Sequence, residues 1–170
     1  MAKFIDFNTV YGKLGMHPGN LTTEQAMALF DRAMKCKEGA LLLDQWPDAG
    51  RTSVLLATVA RNLDGKLKVV TRWETAPPIG PQLFERVYRT HKLRDVATVL
   101  DHSQANGYDQ DADFAVARAE TLPIMNGDLN GAKQVFVYGG GMANLFNIIE
   151  KFDGYEAKES GPGWVLMGTE

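Results

Sequence analysis

The stretch "LLLDQWPDAGRTS", residues 41–53, decides how this chain is read. An apolar run stops at Asp44, a short loop with one glycine, Gly50, follows, and Thr52 and Ser53 open a helical pattern. The run "ALLLDQ" (40–45) is bounded by Gly39 and Pro47. That is the pattern of a strand buried on both faces of a parallel sheet. In "RTSVLLATVARNL" (51–63), Val54, Leu55, Val59 and Leu63 recur at helical core spacing. A strand passing through a glycine-bearing loop into a helix is the form of a cofactor-binding turn in an α/β domain. Such turns usually carry several glycines, and here Trp46 and Pro47 stand where they would sit.

The alternation continues on both sides of this stretch. Before it, "LTTEQAMALFDRAMKCK" (21–37) is a helix with Ala26, Phe30, Ala33 and Met34 on one face and Gly39 beyond its end. Thr22 and Gln25 form a capping-box pattern at its start. After it, Asp64–Gly65 turns the chain into the strand "KLKVVTRW" (66–73). Pro81 suits the start of the helix "QLFERVYRTHKL" (82–93), and "VATVL" (96–100) is a third strand. "DADFAVARAETL" (111–122) reads as a short helix, although its alternation also fits an extended segment. "KQVFVY" (133–138) is a fourth strand, "GMANLFNIIEKF" (141–152) an amphipathic helix and "GWVLMGT" (163–169) a fifth strand.

Strands joined by helical crossovers run parallel, and right-handed crossovers place helices on both faces. The expectation is therefore a Rossmann-like, doubly wound α/β fold with a mainly parallel five-stranded sheet. Residues 1–20, with three glycines and a proline, read as an irregular lead-in, and 21–170 as one domain. Ligands of such sheets sit outside the carboxyl ends of the strands, which singles out 44–53, 71–80, 101–112 and 138–142.

Bulk composition narrows the function classes. Of 170 residues, 45% are hydrophobic and 23% charged, enough for a sizeable core. The net charge is -3 and no Lys/Arg block forms an electrostatic footprint, which argues against a nucleic-acid partner. No apolar run approaches the roughly 20 residues of a membrane span, and the N-terminus lacks a secretory apolar region. Cys36 is the only cysteine, beside lysines in a helix pattern, and reads as structural. A reducing, cytoplasmic location is expected.

The order of strand, "DQWPDAGRTS", helix, "VVTRWE", helix, "VATVLDHS", then "VFVYGGGM", helix and "PGWVLMG" resembles the class I S-adenosylmethionine-dependent methyltransferases, especially the macrocin-type O-methyltransferase branch. There the first turn reads "VEIGSxxGxST", the second strand ends in an acid, the third leads to a "GDS"-like turn, and "IDGDH" follows the fourth. The resemblance covers residues 38–170. It implies cofactor contacts at Asp44, Gly50, Thr52, Glu74, Asp101 and Ser103. It also exposes departures. Trp46 replaces the first glycine, whose absent side chain lets the backbone approach the cofactor. Thr71 or Arg72 stands where an acid would accept from the ribose hydroxyls, and arginine only donates. "YGGGM" after the fourth strand leaves no carboxylate or histidine for a metal. The usual final strand pair is missing.

Other candidate chemistry is weaker. His102, between Asp101 and Ser103, is the one histidine at a strand end and the candidate general base; His17 and His91 fall in the lead-in and on a helix surface. Asp109, Asp111 and Asp113 alternate like an EF-hand start without its glycine and closing glutamate. The three glycines 139–141 read as a turn, since no lysine follows in phosphate-loop spacing. No metal site is expected. Trp46, Trp73 and Trp164, all near strand ends, are expected to fill the cleft or form a protein interface. Two functions remain. In one, the chain has lost catalysis and cofactor and serves as an accessory or structural subunit, with a protein partner or as a homo-oligomer. In the other, it is an active methyltransferase that uses S-adenosylmethionine on a small hydroxylated molecule.

Overall fold

The computed structural model describes residues 4–14, 21–45, 47, 49–71, 80–101, 112–124, 132–139, 145–147, 150 and 154–169. Seven strands form one sheet: β1 (Leu41–Gln45), β2 (Lys66–Thr71), β3 (Ala97–Asp101), β4 (Phe114–Arg118), β5 (Gln134–Tyr138), β6 (Tyr155–Gly161) and β7 (Trp164–Thr169). Their order across the sheet is β3-β2-β1-β4-β5-β7-β6. The first five are parallel; β7 runs antiparallel between β5 and β6. The helices are α1 (Phe7–Leu14), α2 (Thr23–Ala33), α3 (Arg51–Asn62) and α4 (Gly80–Thr90). The fold is the expected Rossmann-like α/β architecture with a mainly parallel sheet.

The expected count of five strands is corrected to seven, and the final strand pair is present. Two segments account for the difference. "FAVAR" is β4 and not a helix: Phe114 and Val116 face one side, Ala115 and Ala117 the other, and all four are buried. Alanine favours helix, but burial between β1 and β5 overrides that preference. "YEAKESG" is β6, an exposed edge strand with no apolar alternation to read. Its charges suit an edge that must resist pairing with other chains.

Successive residues of the central strands sort into two cores. Leu42, Val69, Phe114, Val116, Phe136 and Leu166 pack under α1 to α4. Leu43, Val70, Ala115, Val135, Val137, Val165 and Met167 form the core of the opposite face, with Leu145. Period-two alternation of this kind is what a sheet covered on both faces requires.

The lead-in, expected to be irregular, contains helix α1, which buries Val10 and Leu14. Its approach is tied to α3 by Asn62, which donates to the Ile5 carbonyl (2.8 Å) and accepts from the Ile5 amide (2.9 Å). The capping box of α2 forms as expected: Thr22 Oγ1 accepts from the Gln25 amide and Gln25 Oε1 from the Thr22 amide.

Candidate functional site

β1 leads through α3 to β2 on one side, whereas β4 pairs with its other edge. Strand order thus reverses between β1 and β4, and a crevice opens outside their carboxyl ends. The described residues at this crevice are Asp44 and Gln45 of β1, the start of α3, Thr71, Asp101, Arg118 with Glu120, and Tyr138 with Gly139.

Asp44 is the centre of this group. It is buried, and its Oδ2 accepts from Ser53 Oγ (2.6 Å) and Thr52 Oγ1 (2.8 Å). Burial pushes its carboxyl up to about 6, while the Ser53 and Thr52 hydroxyls and the Arg118 charge pull it down. Both hydroxyls come from the first turn of α3 because Gly50 starts that helix in a left-handed conformation (φ 101°). A side chain at Gly50 would be strained there and would also press on Val87 Cγ1 of α4, 3.0 Å from its Cβ position. Gly50 is therefore required for helix entry and packing.

At the end of β2 the last described residue is Thr71, buried, whose hydroxyl donates to the Leu100 carbonyl (3.2 Å). A neutral hydroxyl so engaged is a poor substitute for a carboxylate that accepts from two ribose hydroxyls. Asp101 is half-buried at the end of β3, opposite Thr71 in register. Trp46, Trp73, Glu74, His102 and Ser103 lie outside the described residues, as do His17, Asp109 and Asp111. Asp113 is bound up in structure: it accepts from the Leu41 amide (2.9 Å) and from Lys133 Nζ (2.9 Å).

The end of the fourth strand needs correction. Since β4 is Phe114–Arg118, the turn comparable with "IDGDH" is Arg118-Ala119-Glu120-Thr121, and "YGGGM" follows β5. A carboxylate is present after all. Glu120 Oε1 takes a hydrogen bond from Arg118 Nη1 (3.2 Å), and its other oxygen lies against Gly139 at the end of β5. Arg118 and Glu120 are the residues that sequence reading missed. The signal was the two-residue period of "FAVAR", outweighed by its helix-forming alanines. Among the described residues no group of His, Cys, Asp and Glu is placed to hold a metal ion.

Trp164 opens β7 opposite Tyr138 in register. Buried, it stacks on Phe136 with ring centroids 5.2 Å apart, under the Arg32 guanidinium of α2 at 5.0 Å. Cys36 is half-buried, and its thiol is pushed up to about 11 by burial first and then by Asp113. It is not a thiolate nucleophile at neutral pH. Among the described residues no helix is long and apolar enough to cross a membrane.

This sheet order with its one antiparallel insertion, and an acid at the end of β1, define a Rossmann-like methyltransferase fold. Solved structures agree. The chain superimposes on an S-adenosylmethionine-dependent O-methyltransferase from Thermotoga maritima with a TM-score of 0.67, at 13% identity over 95% of this chain and 70% of that one. It superimposes on the cofactor-bound protein Rv0187 from MTB with a TM-score of 0.63, at 12% identity over 96% and 87%. For a precorrin-6y C5,15-methyltransferase from Geobacter metallireducens the TM-score is 0.59, at 12% identity over 89% and 91%. No protein-family model and no curated protein sequence matches the chain. At these identities the likeness establishes the fold alone.

Proposed function

We propose that this chain is a methyltransferase-fold protein that does not transfer methyl groups and serves as a subunit of a protein assembly. The observation that carries this reading is Arg118. Its guanidinium ends β4 beside the switch-point crevice, close enough to Asp44 to influence its ionisation. S-adenosylmethionine carries a sulfonium cation. A guanidinium only donates and stays charged, so Arg118 adds positive charge at the strand end that such a cation would approach. Asp44 and the 56% exposed Glu120 offset part of that charge. The engaged hydroxyl at Thr71 and the tryptophan at position 46 point the same way. The described residues thus fit this cofactor poorly, and no catalytic step is derived through it.

A second reading, an active S-adenosylmethionine-dependent O-methyltransferase, draws on the preserved β1–α3 turn, with Asp44, Gly50 and Thr52 in family positions. Calorimetry separates the two. Titration with S-adenosylmethionine is expected to give no micromolar binding. Micromolar binding of S-adenosylmethionine would overturn the first reading in favour of the second.

A further inference from the structure

A hollow of about 260 Å³ lies between α1, α3 and the end of α4. One face of α3 supplies Val54, Thr58 and Arg61, at helical spacing. α1 supplies Val10 and Lys13, and the turn after α4 supplies His91 and Lys92. The floor is apolar. Val10, Val54 and Thr58 are buried, and the Thr58 hydroxyl is spent on the Val54 carbonyl (3.0 Å). The rim is cationic. Lys13, Arg61 and Lys92 line it, and no Asp or Glu stands among the described lining residues. Lys13 and Lys92 form no ion pair with a described residue. Asp95, in a neighbouring hollow, supports the Arg61 charge against the burial that lowers its pKa.

Two features hold this rim in place. Arg61 donates from Nη2 to the carbonyls of Lys92 (2.7 Å) and His91 (3.4 Å), while its Nε and Nη1 make no hydrogen bond to a described residue. Lys92 has a left-handed backbone (φ 53°), a conformation in which a side chain is unfavourable and glycine is the default. Folding alone gives no reason for a lysine there. From this arrangement we propose that the hollow binds a small phosphate monoester, its phosphate at Lys13, Arg61 and Lys92 and a compact apolar group on the Val10–Val54 floor. A phosphate monoester carries close to two negative charges at neutral pH, which suits three cations better than the single charge of a carboxylate. A guanidinium meets phosphate oxygens as a fork, and the lysines act as point charges. The whole chain is at -3, so the cationic rim is not a surplus of bulk charge. α3 starts at the carboxyl end of β1 and runs back along the sheet, so Arg61 lies toward the end opposite the switch-point crevice.

The test does not depend on what fills the crevice. Calorimetric titration of the whole chain with phenyl phosphate is expected to show saturable, submillimolar binding that weakens as salt is raised. Inorganic phosphate, which lacks the apolar group, is expected to bind more weakly. Lys92→Gly is the decisive variant. Glycine suits the left-handed backbone, so the melting temperature should not fall, while affinity for phenyl phosphate should drop roughly tenfold. Lys13→Ala, at an exposed position of α1, should act in the same direction. An absence of saturable binding overturns the proposal, and so does an affinity unchanged in the double variant Lys13→Ala/Lys92→Gly. Inorganic phosphate binding as tightly as phenyl phosphate would overturn the role given to the apolar floor. Vesicles of phosphatidic acid in phosphatidylcholine that sediment the chain, with phenyl phosphate left unbound, would assign the rim to a lipid headgroup and overturn the small-molecule reading.

Discussion

Two buried polar clusters fasten distant parts of this chain, and they differ in charge. At α2, Gln25 caps its own helix and donates from Nε2 to the Gly163 carbonyl (2.9 Å), joining the helix to the β6–β7 turn. Every group there is neutral, and Gly163 holds a left-handed conformation (φ 76°) that leaves room for the amide. At the crevice, Asp44 is a carboxylate buried against two hydroxyls, and burial raises its pKa. The first cluster is what a fold needs where chain segments meet. The second costs stability when ionised.

That contrast can be broken or sharpened by substitution. The largest effect is expected at the hairpin end, where Trp164→Ala removes a buried ring stacked on Phe136. A loss of about 3–5 kcal/mol in urea unfolding is expected. A loss under 1 kcal/mol would show that the hairpin contributes little to the fold.

The next effect tests the crevice and its sign. Asp44 has a folded pKa of about 6, above its ordinary 3.8. The folded state therefore holds the proton more tightly than the unfolded state, and the stability contributed by this group is present below about pH 4. It is lost as pH rises to about 6. Asp44→Asn abolishes this dependence. The stability of the variant relative to the parent is expected to rise by on the order of 2–3 kcal/mol between pH 4 and pH 7. A pH-independent difference would sink the claim that Asp44 is strained by burial.

For the neutral cluster, Gln25→Ala should cost about 1–2 kcal/mol, with no pH dependence. The smallest effect is Ser53→Ala. Losing one of the two hydroxyl donors should move the Asp44 titration upward by up to about one unit, as followed by carboxyl-carbon NMR. An unmoved titration would remove Ser53 from the site.

Much of the fold is legible in the sequence because the apolar periods are strong. The turn into α3, the capping box at Thr22 and the parallel strands β1, β2, β3 and β5 all follow from local pattern. β4 is obscured because alanine satisfies a buried strand as well as a helix. β6 is obscured because an edge strand facing water has no hydrophobic alternation. Missing β4 shifted the strand count, and that shift placed the comparison of site residues on β5 in place of Arg118 and Glu120. Trp164 shows a related limit. Its position near a strand end is readable, but the face it occupies depends on register with Phe136 and on α2 above it.

The insertion of β7 between β5 and β6 has a kinetic consequence. β5 has one edge satisfied by β4, but its other edge stays open until residues 164–169 arrive from the far end of the chain. During synthesis the parallel strands can assemble while Val135, Phe136 and Val137 still present an apolar, unpaired border to other chains. The vulnerable interval ends only when the hairpin folds locally and docks, so the order of these two steps governs how much of the chain escapes aggregation.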